Sequence, residues 1–376
     1  MSMRTTTSRR LALAISAALL TLASSGYPQD AGSEPGPSAP EPRINLGSGV
    51  APSSEPGPSG DPRSGVAEAK TFHIYYLGGQ SNMDGFGTIA ELPADLNQPV
   101  EGIYIYHGNT APDGAGDGVQ PGQHPGAQPD AQPGAQPGAG RWSIIKPGHG
   151  VGFRSDGEAN TYSDRFGVEL TFARRIAALH PDRNIAIIKY SRGGTSISRA
   201  ARSASRAGCW DPDFDPAVPN QLDHAVATIK AALAAGDIDG DGSADTLIPA
   251  GIVWMQGESD GADRGPAQDY GENLRRVMDA LSEALGDSAH ELPVAIGLIS
   301  DSGRQPQAGE DGKIWDFGEH VRLAQADYCD IEARAVLVDS TDEYGYSDPY
   351  HYDTAGYIDL GRKFAEAIAG LEKKGP

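Results

Sequence analysis

The sequence predicts an α/β fold, a three-layer α/β/α sandwich around a central parallel sheet. Short runs rich in Ile, Val and Tyr recur through residues 69–372. Several are apolar throughout, as strands covered on both faces must be. Stretches of helical periodicity lie between them, and that alternation builds a parallel sheet with helices on both sides.

The expected strands, in order, are Thr71–Gly78, Gly102–Tyr106, Asn184–Ser191, Ala250–Met255, Pro293–Ser300 and Arg334–Asp339. A helix is expected over Phe166–Leu179, where Phe166, Leu170, Ala173, Ile176 and Ala177 share one face and Ser163 or Asp164 can cap the start. Further helices fit Gln221–Ala235, Pro266–Leu285, Gly318–Tyr328 and Thr354–Leu371. In such folds, sites form at the carboxyl ends of the strands.

The flanking sequence reads differently. Residues 1–25 have the form of a secretory signal: Arg4, Arg9 and Arg10 precede an apolar run of 13 residues from Leu11 to Ala23, short for a membrane span, and small residues follow. Residues 26–68 are Pro, Gly, Ser and acidic residues, a composition that cannot bury enough surface to offset ordering entropy. Residues 112–140 hold repeated Pro-Gly-Ala-Gln-Pro units, read as a flexible insertion within the 69–372 domain. The implied location is secreted or periplasmic.

Across the 376 residues, 30 Lys and Arg stand against 51 Asp and Glu, a formal charge of −21. That argues against a nucleic-acid binder and against docking on an anionic membrane.

Four segments carry chemistry. Gly78-Gly79-Gln80-Ser81-Asn82-Met83-Asp84-Gly85 follows the first strand, where a serine in a Gly-flanked turn can present its hydroxyl to a cleft and its N–H to an oxyanion. Ser191-Arg192-Gly193-Gly194-Thr195-Ser196 follows a second strand, and its glycines allow close backbone approach to a ligand. Trp254-Met255-Gln256-Gly257-Glu258-Ser259-Asp260 ends a third; the Gln256 amide can donate to a developing negative oxygen, and Glu258 can orient neighbours or substrate. Asp348-Pro349-Tyr350-His351 precedes the last helix, where a carboxylate three residues before a histidine can hold Nδ1–H and leave Nε2 to take a proton. Each segment by itself also reads as an ordinary turn or polar strand end.

In this order the four segments resemble the SGNH (GDSL-like) hydrolase superfamily, and more closely its sialate O-acetylesterase-like group, which includes the family 6 carbohydrate esterases. Gly79-Gln80-Ser81-Asn82-Met83, Gln256-Gly257-Glu258 with Asp260, and Asp348 with His351 carry the resemblance. Phe166-Gly167-Val168-Glu169 and Arg322 with Gln325 are lesser features of it. The wider superfamily has an Asn where this chain reads Gln256-Gly257-Glu258, which leaves open whether Gln256 or Glu258 meets the substrate.

The resemblance implies a flavodoxin-like three-layer fold and hydrolysis of acetyl esters on an oligo- or polysaccharide. It implies Ser81 as nucleophile, His351 as base and Asp348 or Glu258 as its partner. The N–H groups of Ser81 and Gly193 and the side chain of Gln256 would form the oxyanion hole. No cofactor is needed for that chemistry. The competing class is a non-catalytic carbohydrate-binding module with Trp210, Trp254 and Tyr350 as a sugar-stacking surface. A lipase or peptidase ranks lower, since large apolar lid segments are not evident.

Two further expectations concern the scaffold. Cys209 and Cys329, the two cysteines of the chain, either form one disulfide or remain separate thiols. Asp237, Asp239, Asp241 and Asp245, with Gly242 and Ser243 between, match the start of an EF-hand-type loop, although Ile248 stands where a bidentate Glu belongs. The loop reads either as a structural calcium site or as an acidic turn bonded to its own backbone.

Overall fold

The computed structural model describes residues 69–114, 138–300 and 313–373. The expected signal segment 1–25 and linker 26–68 lie outside them, as do residues 115–137 of the expected insertion. Residues on either side of 115–137 are packed. The Asp113 carboxylate accepts from Cys209 N–H at 2.8 Å and from Gln221 Nε2 at 2.6 Å, and Gly138 O accepts from the Tyr106 hydroxyl at 3.2 Å.

Seven strands form one sheet: β1 (Thr71–Gly79), β2 (Ile103–His107), β3 (Trp142–Ile144), β4 (Asn184–Ser191), β5 (Thr246–Met255), β6 (Val294–Gly297) and β7 (Ala335–Val338), in the order β7-β6-β5-β1-β4-β2-β3. Neighbouring pairs are parallel except β2 with β3, where Tyr104 faces Ile144 antiparallel. Strand β3 escaped the sequence reading, because three residues after a low-complexity stretch carry no periodicity to detect.

The main helices are α1 (Ser81–Asp84), α2 (Glu169–Leu179), α3 (Gln221–Ala234), α4 (Arg264–Ala284), α5 (Gly318–Ile331) and α6 (Thr354–Glu372). Strand β1 lies centrally, and Ile74, Tyr75, Tyr76 and Leu77 are all fully buried, as expected of a strand covered on both faces. The pleat assigns the layers. Tyr75 packs edge-on against Phe172 of α2 and bonds Glu372 of α6, and it stands in register with Ile187. Tyr190, an odd number of residues further along β4, therefore points to the other face, where its hydroxyl donates to Gln221 of α3 at 2.8 Å. Helices α2 and α6 pack together on the first face, and α4 packs against α3 and α5.

Helix α2 starts later than its periodicity suggests. Phe166 pairs with Gly87 in a two-residue antiparallel ladder, and Gly167 N–H donates to Glu169 Oε1 at 2.8 Å. Ser163 and Asp164 therefore do not cap it. Cys209 and Cys329 are both free thiols. Cys209 lies beside Asp113 and Asn220, whereas Cys329 sits in the last turn of α5 against the core, so the disulfide alternative is not realised. Among the described residues no helix is long and apolar enough to cross a membrane.

Candidate active site

Strands β1, β4 and β5 end side by side, Gly79 opposite both Ser191 and Met255. Three of the four segments emerge from those ends, as parallel topology requires. Gly79 permits the exit of β1: at φ 145°, a Cβ there would lie 2.0 Å from Met255 O. Gln80 N–H donates to that same carbonyl at 2.9 Å, and Gln80 Oε1 accepts from Gly257 and Ser259 N–H, each at 3.3 Å. Ser81 is thus held at the start of α1, 7% exposed.

The fourth segment arrives from the last crossover. Asp348 Oδ1 accepts from the N–H groups of Tyr350 (2.8 Å) and His351 (3.0 Å), which folds the turn, and its Oδ2 lies 2.7 Å from His351 Nδ1. Burial works against charge on Asp348, but these bonds, His351 foremost, hold its carboxyl below the usual range. An ionised carboxylate can only accept, so Nδ1 carries the hydrogen, and in the neutral form of the ring Nε2 presents a lone pair. The Phe86 ring stacks on the imidazole, 3.6 Å between centroids and 3° from parallel.

Asn82 joins the serine and histidine segments. Its Nδ2 donates to Glu258 Oε1 at 2.7 Å and to Tyr350 O at 3.2 Å, and its Oδ1 accepts from the Tyr357 hydroxyl at 2.8 Å. The neighbour of Ser81 thereby grips the neighbour of His351. No hydrogen bond joins Ser81 Oγ to His351 Nε2 among the described residues, a looseness common in free enzymes with this pairing. The N–H groups of Ser81 and Gly193 find no hydrogen-bond acceptor among the described residues. Arg192 N–H donates to Gly79 O at 3.1 Å and sets Gly193 beside the serine turn.

Gln256 points elsewhere. Its side chain is fully buried, and Nε2 donates to Asp260 Oδ2 at 2.7 Å and to Thr195 O at 3.1 Å. Asp260 in turn accepts from Ile197 and Ser198 N–H. Gln256 and Asp260 thus lace the Gly193 loop to the end of β5, and the amide has no hydrogen left for an oxyanion. That corrects the donor role expected for Gln256. Glu258 is also buried and held by Asn82, with Oε2 unpartnered; burial raises its carboxyl pKa, and the Asn82 bond, with a smaller contribution from His351, partly offsets this. It does not bond the His351 ring, which Asp348 holds.

Beneath the turn, Lys189 is fully buried and donates to Glu169 Oε2 (2.7 Å), Asp84 O (2.8 Å) and His149 O (2.8 Å). All three ammonium hydrogens are used, which a buried cation requires. Neither this tie nor the Asn82 clamp was singled out from sequence; the one available signal was a Lys within an apolar strand. Gln325 donates to Gln256 O and Gly297 O, and Arg322 forms a two-pronged pair with Asp342. Trp210 and Trp254 are wholly buried, 5.0 Å apart, so neither can stack a sugar, and of that expected surface only Tyr350 is exposed.

The aspartate loop lies at the opposite end of the sheet, before β5. Asp237, Asp239 and Asp245 can each bring one oxygen within 4.8 Å of the others. However, Asp237 accepts from Gly240, Asp241 and Gly242 N–H, Asp245 from Lys70 and Ile238 N–H, and the Lys70 ammonium meets both Asp239 and Asp241.

Residues 143–370 match the model of a family described as carbohydrate esterase, sialic acid-specific acetylesterase. The chain belongs to that family. The matched stretch contains Gly193, Gln256, Glu258, Asp348 and His351 and begins after Ser81, which the Asn82 bonds tie to it. No curated protein sequence matches the chain. Among solved structures it is similar to a protein of Arabidopsis thaliana (18% identity over 81% of this chain and 99% of that one, TM-score 0.47). It is also similar to a carbohydrate acetylesterase from Xanthomonas citri (15%, 80% and 57%, TM-score 0.48) and to NanS (14%, 82% and 100%, TM-score 0.49). The chain thus spans 57% of the Xanthomonas citri protein.

Proposed function

We propose that this carbohydrate esterase is a secreted or periplasmic serine enzyme that removes O-acetyl groups from an acetylated oligo- or polysaccharide through an acetyl-enzyme. The observation that carries the proposal is the Asp348–His351 pair, clamped by Asn82 beside Ser81. His351 Nε2 takes the proton of Ser81 Oγ as the oxygen attacks the acetyl carbonyl. The unengaged N–H groups of Ser81 and Gly193 receive the oxyanion. His351 then gives its proton to the departing sugar oxygen, and a water deprotonated by His351 releases acetate and Ser81. Asp348 keeps the imidazole in the required tautomer throughout. Glu258 acts through Asn82, holding the two turns in register.

A non-catalytic binding module finds less support, because its tryptophans are buried and binding alone needs no such pair. Calcium at the aspartate loop is a separate structural proposal; the ion would have to displace Lys70, and it takes no part in the chemistry. Secretion rests on the composition of residues 1–25.

Acetate release from acetylated xylo-oligosaccharides and from p-nitrophenyl acetate tests the reading, with mass spectrometry of the quenched enzyme to find acetyl on Ser81. Turnover by a folded Ser81→Ala variant at the wild-type rate would sink it.

A further inference from the structure

The rim of the site carries an aromatic surface that the proposed chemistry does not use. Among the described residues, the exposed large apolar side chains are Ile144, Ile248, Leu323, Ile331 and Tyr350, and only Tyr350, 44% exposed, is aromatic. Tyr350 immediately precedes His351, and their ring centroids are 6.3 Å apart. The half-buried Trp315 ring lies 5.6 Å from that of Tyr350, tilted by 38°.

Both rings are mounted on the site's own turns. Tyr350 O accepts from Asn82 Nδ2. Phe317 N–H donates to Gly261 O at 2.9 Å, and a Cβ on Gly261 would come within 3.4 Å of Trp315 Cβ. The backbone of Trp315 therefore rests on the end of the short turn that starts at Glu258. The aromatic pair is thus joined to the site at the residue next to His351.

We infer that Trp315 and Tyr350 form a stacking subsite for a neutral pyranose ring of the acetylated glycan. This rests on the esterase reading and names the class of sugar. The C–H face of a pyranose is weakly positive and apolar, and it complements the negative face of an aromatic ring. Among the described residues, the cations next to the aromatic pair are already engaged, which disfavours an anionic sugar. Arg322 is bound to Asp342, Lys313 to Glu319, and Arg264 lies over the Phe317 ring at 4.9 Å. Arg192, next to Gly193, is 7% exposed and gives Nε to Ala207 O. Glu258, Asp348 and the net charge of −21 oppose a carboxylated ligand.

The experiment compares kcat/KM on acetylated xylotriose with that on p-nitrophenyl acetate, for wild type, Trp315→Ala, Tyr350→Ala and Tyr350→Phe. The ratio should fall at least about tenfold in both alanine variants, through KM, and recover in Tyr350→Phe. Ratios within about twofold of wild type in both alanine variants overturn the subsite and leave the esterase reading standing. So does a wild-type preference of more than about tenfold for O-acetyl sialic acid over acetylated xylotriose. Tryptophan fluorescence with unacetylated xylotriose separates the two ideas. Quenching that requires Trp315, in a wild type that hydrolyses neither ester, upholds the subsite and defeats the esterase. Absence of a Trp315-dependent signal in an active wild type counts against the subsite.

Discussion

Two groups of acidic residues in this protein behave oppositely in the fold. One is built from Asp84, Glu258 and Asp260 at the carboxyl ends of the strands, all nearly inaccessible. The other is the 237–245 loop at the amino end of β5, where Asp237 and Asp241 are exposed. In the first, burial opposes charge: it raises Asp84 to about 7 and Asp260 to about 6, and leaves Asp84 Oδ2 and Glu258 Oε2 without partners. In the second, backbone N–H groups and Lys70 satisfy the carboxylates, and the Lys70 bond, followed by Ser243 N–H, holds Asp241 below its usual range. Polar groups left without a protein partner in a buried cleft are a resource for chemistry, whereas satisfied ones at the surface hold a turn.

The largest expected effects lie in the buried region. Ser81→Ala and His351→Ala should each lower kcat at least about 10³-fold, with Asp348→Asn close behind. If Glu258→Gln proved far worse than Asp348→Asn, the two carboxylates would exchange roles.

Asn82→Ala should cost about 1–3 kcal/mol in urea unfolding, because Glu258 loses its donor while buried. It should also lower kcat on p-nitrophenyl acetate. Unchanged values of both would mean that the serine and histidine turns are held independently. Gln256→Leu should likewise destabilise the fold, by leaving Thr195 O without a donor and taking from Asp260 one donor beside the Ile197 and Ser198 N–H groups. A loss of kcat at full stability would instead restore the oxyanion role first expected of it.

The two regions should also differ in the sign of their pH dependence. Asp84 and Asp260 have native pKa values raised above about 3.9, the unfolded value, so the native state binds more protons across the interval. Their stabilising contribution is full below about pH 4 and is lost as pH rises through 6 to 7. Asp84→Asn should therefore flatten the fall in Tm between pH 5 and 8. Asp241, with its pKa lowered, contributes above the ordinary carboxylate range and loses that contribution as pH falls. Parallel pH profiles for Asp84→Asn and Asp241→Ala would erase the distinction.

The smallest effect belongs to the exposed loop. Lys70→Ala should change Tm little, since surface ion pairs contribute weakly. If calcium can take the place of the ammonium, millimolar calcium should raise Tm more in Lys70→Ala than in wild type. Isothermal titration that finds no calcium uptake by either protein removes the ion.

Much of this was legible from residue order. Apolar runs located six of the seven strands to within a few residues, because a strand buried on both faces must be apolar along its length. The spacing of Asp348 and His351 already specified a carboxylate within reach of an imidazole, since three residues of turn close that gap locally. Gln256 illustrates the limit. Its amide was recognisable as a donor, but its direction depends on Thr195 and Asp260, and Thr195 belongs to a loop 61 residues away.

The sequence by itself determined the alternation of strands and helices, the positions of Ser81, Gly193 and His351 at element ends, and the local Asp348–His351 bond, all matters of short-range periodicity and turn chemistry. Only the tertiary structure decided which polar groups are buried. Burying Trp210 and Trp254, exposing Tyr350, threading Lys189 between Asp84 and Glu169, and closing Asn82 over residues 268 to 275 positions away are consequences of how layers pack. A side chain's chemistry is written in its residue type, but its partners are set by what the fold brings to it across the chain.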